Sequence, residues 1–209
     1  MNKNKKKLSR LLLASISGIN RRKITIRHLL NIVKNNQPDK ILDVGSGLEN
    51  WSYIFPHSAE YHTVELKKDI NPTFVGDYFK LNLQSDYKLI IATELIEHLP
   101  STRLFFQRSF DLLSDEGVLI ISFPFLFKIH ADPYDYFRFT SYGIQELARD
   151  KFEIINIESH GNRLQLIWEI FVDTKILYPL KFFNRLIAKI NHKNASYPLG
   201  YVVVLKKKC

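Results

Sequence analysis

Three groups of residues in this 209-residue chain combine types and spacings that can do chemistry. The first is Asp43-Val44-Gly45-Ser46-Gly47, where two glycines end an apolar run and let backbone N–H groups approach a ligand closely. Asp43 sets a carboxylate at the end of that run, which suits a ligand with a positive amino group. Glu65 ends the next apolar run, roughly 20 residues on, a spacing at which a carboxylate accepts both hydroxyls of a ribose. Gly76-Asp77-Tyr78 then offers an acid and a ring to an adenine. The second group, Glu94 and His98, has the spacing of one helix face. The third is the polar cluster in 124–140. There His130 titrates near neutrality and can take a hydroxyl proton, with Asp132 or Asp135 to orient it, and Arg138 follows Asp135 at ion-pairing distance along the chain. Magnesium ligation by His130, Asp132 and Asp135 is the competing use of these groups. The spacing fixes no geometry for it, and no metal is expected.

The elements that must position these groups follow from hydrophobic pattern. Thr25 is expected to cap a helix carrying Ile26, Leu29, Leu30 and Val33 at helical spacing, stopped by Asn35, Asn36 and Pro38. Residues 40–44, 61–66 and 87–93 are short apolar runs of the kind that form buried parallel strands. Ser101 predicts the N-cap of a helix closed by Gly117, residues 118–123 a strand, Thr140 another N-cap, and 152–158 a further strand. Strand alternating with helix is an α/β pattern. Its right-handed crossovers put helices on both faces of a mostly parallel sheet, with ligand sites at the carboxyl ends of the strands. The final strand, 201–205, follows a long helical stretch over 164–190 and is expected to join late and antiparallel.

Composition sets outer limits. One domain over 1–209 is expected, with a basic N-terminal extension over 1–24 and a helical lid or packing insertion over 162–192. The only cysteine, Cys209, rules out a disulfide framework within one chain and fits a reducing, cytoplasmic setting. No apolar run reaches the length of a membrane span. The net charge of +9 lies largely in terminal lysines, so a nucleic-acid partner is not expected, and the basic, apolar stretch 165–190 is read as core packing, a lid or a peripheral membrane contact.

From about residue 41 to 152 the order of these motifs resembles that of the class I S-adenosylmethionine-dependent methyltransferases. Asp43-Val44-Gly45-Ser46-Gly47 resembles the family's first motif, Glu65 its ribose-binding acid, and Asp77-Tyr78 its adenine-contacting pair. Glu94-Leu95-Ile96-Glu97-His98-Leu99 is similar to the segment that borders the methyl donor after the fourth strand. The resemblance implies a Rossmann-like, seven-stranded sheet with its last strand inserted antiparallel between the fifth and sixth. It also implies S-adenosylmethionine as cofactor, bound by Asp43, Gly45, Ser46, Gly47, Glu65, Asp77, Tyr78, Glu94 and His98. The 124–140 segment is similar to a His, Asp-Pro, Asp-Tyr, Arg-Phe-Thr pattern in a subgroup linked to cell-surface sugar modification. This implies His130, Asp135 and Arg138 as catalytic residues, with Tyr136 beside them, and O-methylation of a small-molecule or carbohydrate acceptor in polysaccharide biosynthesis. Two other readings stand beside it: methylation of RNA, and a cofactor-binding partner subunit without catalysis. The second is motivated by Glu49, where many family members carry a third glycine. Asn50, where G-x-G-x-x-G needs glycine, argues against a nicotinamide dinucleotide.

Overall fold

Helix α1 (Ile16–Asn36) leads into strands β1 (Lys40–Val44), β2 (Glu60–Glu65), β3 (Phe74–Val75) and β4 (Tyr87–Thr93). Next come α2 (Thr102–Leu112), β5 (Leu113–Pro124), α3 (Ser141–Ala148), β6 (Phe152–His160), α4 (Arg163–Val172), the short α5 (Asn184–Ile187) and β7 (Gly200–Lys207). The computed structural model describes residues 15–47, 50–130, 134–174, 176–189 and 196–209. The strands form one seven-stranded sheet in the order β3-β2-β1-β4-β5-β7-β6. β7 runs antiparallel to both β5 and β6, and the other pairs are parallel, as expected.

The period-two alternation of the strands explains the layers. Leu42 and Val44 of β1, Ile90 and Ala92 of β4, and Tyr201, Val203 and Leu205 of β7 face one core with Phe105 and Phe106 of α2 and Ile144 of α3. Ile41, Leu89, Ile91, Val202 and Val204 face the other, against Leu29 and Ile32 of α1 and Trp51. Helices thus cover both faces. Because the strand order reverses between β1 and β4, the loops leaving their carboxyl ends diverge and open a crevice there.

Several local expectations change. Ser101 and Thr140 do cap α2 and α3, accepting from Leu104 N at 3.4 Å and Gly143 N at 3.0 Å. Thr25, however, is buried inside α1, whose cap is Ser15, accepting from Gly18 N at 3.0 Å. Residues 16–24, read as part of an extension, are therefore helical. Gly117 does not close α2: Leu113 passes straight into β5, and Gly117 lies within that strand.

The helical stretch over 164–190 is broken into α4, a 3-10 segment (Tyr178–Phe183) and α5. α4 buries Gln165 and Glu169 along with Val172, packs Leu166 and Trp168 on a small core, and exposes Leu164, Ile167, Ile170 and Phe171. The inward polar residues serve α1. Glu169 accepts from the N–H of Ile16 and, at 3.2 Å, from that of Ser17, placing a carboxylate at the helix N-terminus. Asn20 donates to Gln165 at 3.1 Å. Truncating Glu169 to alanine is expected to destabilise the fold by roughly 1–3 kcal/mol, since two buried N–H groups lose a charged acceptor; a shifted midpoint in urea unfolding checks this. Among the described residues, no helix is long and apolar enough to cross a membrane.

Candidate functional site

At the end of β1 the chain turns through Gly45 at φ 69° and Gly47 at φ 55°, a left-handed backbone that glycine adopts without strain. A Cβ on Gly45 would also lie 2.9 Å from a methyl carbon of Leu95, so this loop packs directly against the loop after β4. Asp43 is fully buried. The Tyr61 hydroxyl donates to its Oδ2, and the Trp51 N–H donates to that hydroxyl at 2.8 Å. Among the described residues, Oδ1 of Asp43 has no hydrogen-bond partner. Burial pushes this carboxyl up to about 7, the Tyr61 hydrogen bond opposing the rise and the charge of Glu65 adding to it.

Glu65 reaches back from β2 to the glycine loop, accepting from the Gly47 N–H and, at 3.5 Å, from the Ser46 hydroxyl. The Gly76 N–H donates to the Glu65 carbonyl at 2.8 Å, which brings the start of Gly76-Asp77-Tyr78 to the same sheet edge. Asp77 accepts from the Phe79 N–H at 2.9 Å and stays partly exposed. Tyr78 does not face a ligand. Its ring is buried against Phe105, its hydroxyl lies 3.2 Å from that of Ser109, and Arg108 covers one face. The adenine contact expected of its ring is corrected accordingly: the apolar gain of filling the core under α2 decides its direction.

Beyond β4, Glu94 takes φ 52°, uncommon for a residue with a side chain and typical of functional loops. Its N–H donates to the Ser122 carbonyl at 2.9 Å, its carboxylate accepts from the Ser122 hydroxyl at 3.3 Å, and Arg21 lies 3.6 Å away. The segment that follows is a 3-10 turn, Ile96–His98, so Glu94 and His98 do not share a helix face as their spacing suggested. The turn drives Glu97 wholly inside, where neither carboxylate oxygen has a hydrogen-bond partner among the described residues.

The loop after β5 folds back onto this turn. Tyr136 N–H donates to the Glu97 carbonyl at 2.8 Å, and His98 Nδ1 donates to the Tyr134 carbonyl at 2.6 Å. The rings of His98 and His130 meet edge to face at 5.0 Å, with both Nε2 atoms 3.6 Å from Glu97 Oε1. The Asp135 side chain, almost wholly covered, accepts from the His130 N–H at 3.0 Å and from Arg138 Nη2 at 2.6 Å. Arg138 also donates to the carbonyls of Lys128 at 3.1 Å and Phe137 at 2.9 Å. Its guanidinium holds the Asp135 carboxyl well below the ordinary range. Asp135 and Arg138 thus pin this loop, and Asp135 holds the backbone N–H of His130. The Glu97 carboxylate beside it raises the pKa of His130, against an opposing effect of burial.

The structure therefore gathers Asp43, Gly45, Ser46, Gly47 and Glu65 at one end of the crevice, and Glu94, His98, His130, Asp135 and Arg138 at the other. Asp132 and Glu49 lie outside the described residues. Magnesium ligation through Asp135 is not what the geometry offers, because Arg138 already occupies that carboxylate. Sequence reasoning missed Glu97 and Tyr61. Glu97 had a visible signal as an acid beside a histidine in an otherwise apolar segment; Tyr61 had none beyond its place in a strand.

Solved structures share this architecture at low identity. The PH0226 protein from Pyrococcus horikoshii OT3 is 17% identical with a TM-score of 0.57, covering 90% of this chain and 91% of its own. An S-adenosylmethionine-dependent methyltransferase from Clostridium acetobutylicum ATCC 824 is 11% identical with a TM-score of 0.59, at 87% and 89% coverage. The N-methyltransferase NodS from Bradyrhizobium japonicum WM9, solved with S-adenosylhomocysteine, is 7% identical with a TM-score of 0.55, at 90% and 87% coverage. Among curated proteins, none matches the sequence. The model of one sequence family, described as a methyltransferase domain, matches residues 18–190, and with most of its length so matched this chain belongs to the methyltransferase domain family.

Proposed function

We propose that the protein O-methylates a small-molecule or carbohydrate acceptor, with S-adenosylmethionine as donor. The observation that carries this reading is the meeting of two half-sites at the crevice: a glycine loop with convergent acids beside a cluster of buried Glu97 and the partly exposed His98 and His130. When bound, S-adenosylmethionine supplies an electrophilic methyl group on a sulfonium. Asp43, with one unpaired buried oxygen, suits the ammonium of its amino acid tail. Glu65 exchanges its bond to Gly47 for the ribose hydroxyls, and Asp77 borders the adenine. Transfer to oxygen is an in-line displacement that demands alignment and the loss of a proton from the acceptor. That proton is drawn off at the His130 side of the cluster, where Asp135 fixes the ring. The carbohydrate preference is supported by Tyr134, Tyr136, Phe137 and Tyr142, which expose aromatic surface around the same loop where a sugar ring can stack.

A thermal-shift comparison of S-adenosylmethionine, S-adenosylhomocysteine and NAD tests the cofactor, and methyl-labelled donor offered with hydroxylated small molecules and glycans tests the acceptor. At a hundredfold excess over Kd the two adenosyl ligands are expected to raise Tm by roughly 5–10 °C and NAD to leave it unchanged. His130→Ala should keep that shift and abolish label transfer. Stabilisation by NAD alone, or undiminished transfer by the variant, would overturn the assignment.

A further inference from the structure

We propose that Glu97, His98 and His130 form a binding site for one divalent transition-metal ion. Glu97 is fully buried and, among the described residues, neither of its oxygens finds a hydrogen bond, an arrangement that is expensive unless a cation compensates it. The two histidines aim the right atoms at it. His98 donates from Nδ1 to the Tyr134 carbonyl at 2.6 Å, which leaves Nε2 as its ligand atom, facing Glu97. His130 Nδ1 faces Asp135 Oδ2 at 3.3 Å and the Lys128 carbonyl at 3.4 Å, so its Nε2 lone pair points the same way. A proton held on Nδ1 by a carbonyl or carboxylate, with Nε2 left free, is the arrangement that metal-binding histidines use.

The three ligand atoms lie within 4.8 Å of one another, and each Nε2 is 3.6 Å from Glu97 Oε1. Ligands about 2.1 Å from a common ion stand roughly 3.0–3.5 Å apart, so closing on a cation needs only a small contraction. Two imidazoles and one carboxylate favour an ion of the manganese-to-zinc series over magnesium or calcium. Three protein ligands leave coordination positions open, and the partial exposure of both histidines gives those positions access to the crevice.

The role of the ion rests on the methyl-transfer reading and deepens it, whereas the binding does not depend on it. An acceptor hydroxyl coordinated at an open position becomes more acidic and loses its proton to water. Its oxygen then forms the bond to the methyl carbon as the carbon–sulfur bond breaks and that electron pair returns to sulfur, leaving a neutral thioether. His130 is then a ligand: the ion makes the hydroxyl more acidic, and water, in place of the imidazole, takes the proton.

Titration of the metal-stripped full chain with Mn2+, followed by loss of the free-ion EPR signal, tests the site. One ion per chain is expected, with affinity lower by on the order of 100-fold or more in Glu97→Gln and His98→Ala, and by roughly 10- to 100-fold in Asp135→Asn, which leaves the ligands but loosens His130. Retention of the S-adenosylhomocysteine thermal shift shows that each variant is folded. No uptake by the wild type, or equal uptake by Glu97→Gln and His98→Ala, overturns the proposal. If the adenosyl ligand binds and Mn2+ does not, the metal site alone fails; if Mn2+ binds and the adenosyl ligand does not, the methyltransferase reading fails instead.

Discussion

Replacing Glu65 with alanine is expected to lower affinity for S-adenosylhomocysteine by roughly 100- to 1,000-fold, read by isothermal titration calorimetry. Hydrogen bonds to a charged acceptor contribute about 1.5–3 kcal/mol each, and a carboxylate at this strand end can take two from a ribose. The full sum is not realised, because in the free protein the same carboxylate already accepts from the Gly47 N–H and the Ser46 hydroxyl. A net loss of roughly 3–4 kcal/mol remains, which is the stated fold-change. The existing bonds carry a second consequence. They hold the glycine loop against β2 before any ligand arrives, so the variant should bind more slowly as well as more weakly. Glu65→Gln, which keeps one oxygen acceptor, should fall between the two proteins. A change smaller than tenfold in Glu65→Ala would mean that the ribose is held elsewhere.

Most of the sheet was legible because its central strands are apolar on both faces, a pattern that only a strand covered by helices on each side produces; β1 and β4 lie where their runs predicted. The glycine loop was legible because its residue types have few other uses. What could not be read depended on direction. A short acid-ring pair does not reveal which way the ring turns, and Tyr78 went to the core, as filling the space under α2 favours its burial. Spacing by four suggested a helix face for Glu94 and His98, but the tighter 3-10 turn sent Glu97 inward instead, to the centre of the cluster with His98 and His130. α4 misled in the same way. Its apolar residues imply an inward face, yet the N-terminus of α1 needed acceptors, and Glu169 took that side. In each case a partner distant in sequence decided an orientation that periodicity leaves open.

Asp43→Asn is expected to stabilise the ligand-free protein and cripple the liganded one, with a pH dependence that identifies the cause. The carboxyl of Asp43 is raised from 3.8 to about 7, chiefly by burial. Between those values the folded chain holds a proton that the unfolded chain has released. The contribution of this group to stability is therefore fully present below the unfolded value, declines as pH rises through that window, and is gone above about 7. A shift of this size corresponds to about 4 kcal/mol, the cost of keeping an ionised carboxylate in a site where the Tyr61 hydroxyl and the Trp51 N–H offset only part of its desolvation. At a pH of about 8 the asparagine variant should thus be more stable than the wild type by roughly 2–4 kcal/mol in urea unfolding, while at a pH near 4 the difference should largely vanish. Ligand binding should move oppositely. The wild type gains affinity for S-adenosylhomocysteine between pH values of about 6 and 7.5, as the carboxylate ionises and can pair with the ligand's ammonium, whereas the variant stays flat and about 100-fold weaker at the upper end. Equal stability of the two proteins at the higher pH would show that the buried charge is compensated within the chain. A parallel pH dependence of binding in both would remove Asp43 from the cofactor site. The unpaired oxygen of Asp43 is on this account a cost the free protein carries because the bound ammonium relieves it.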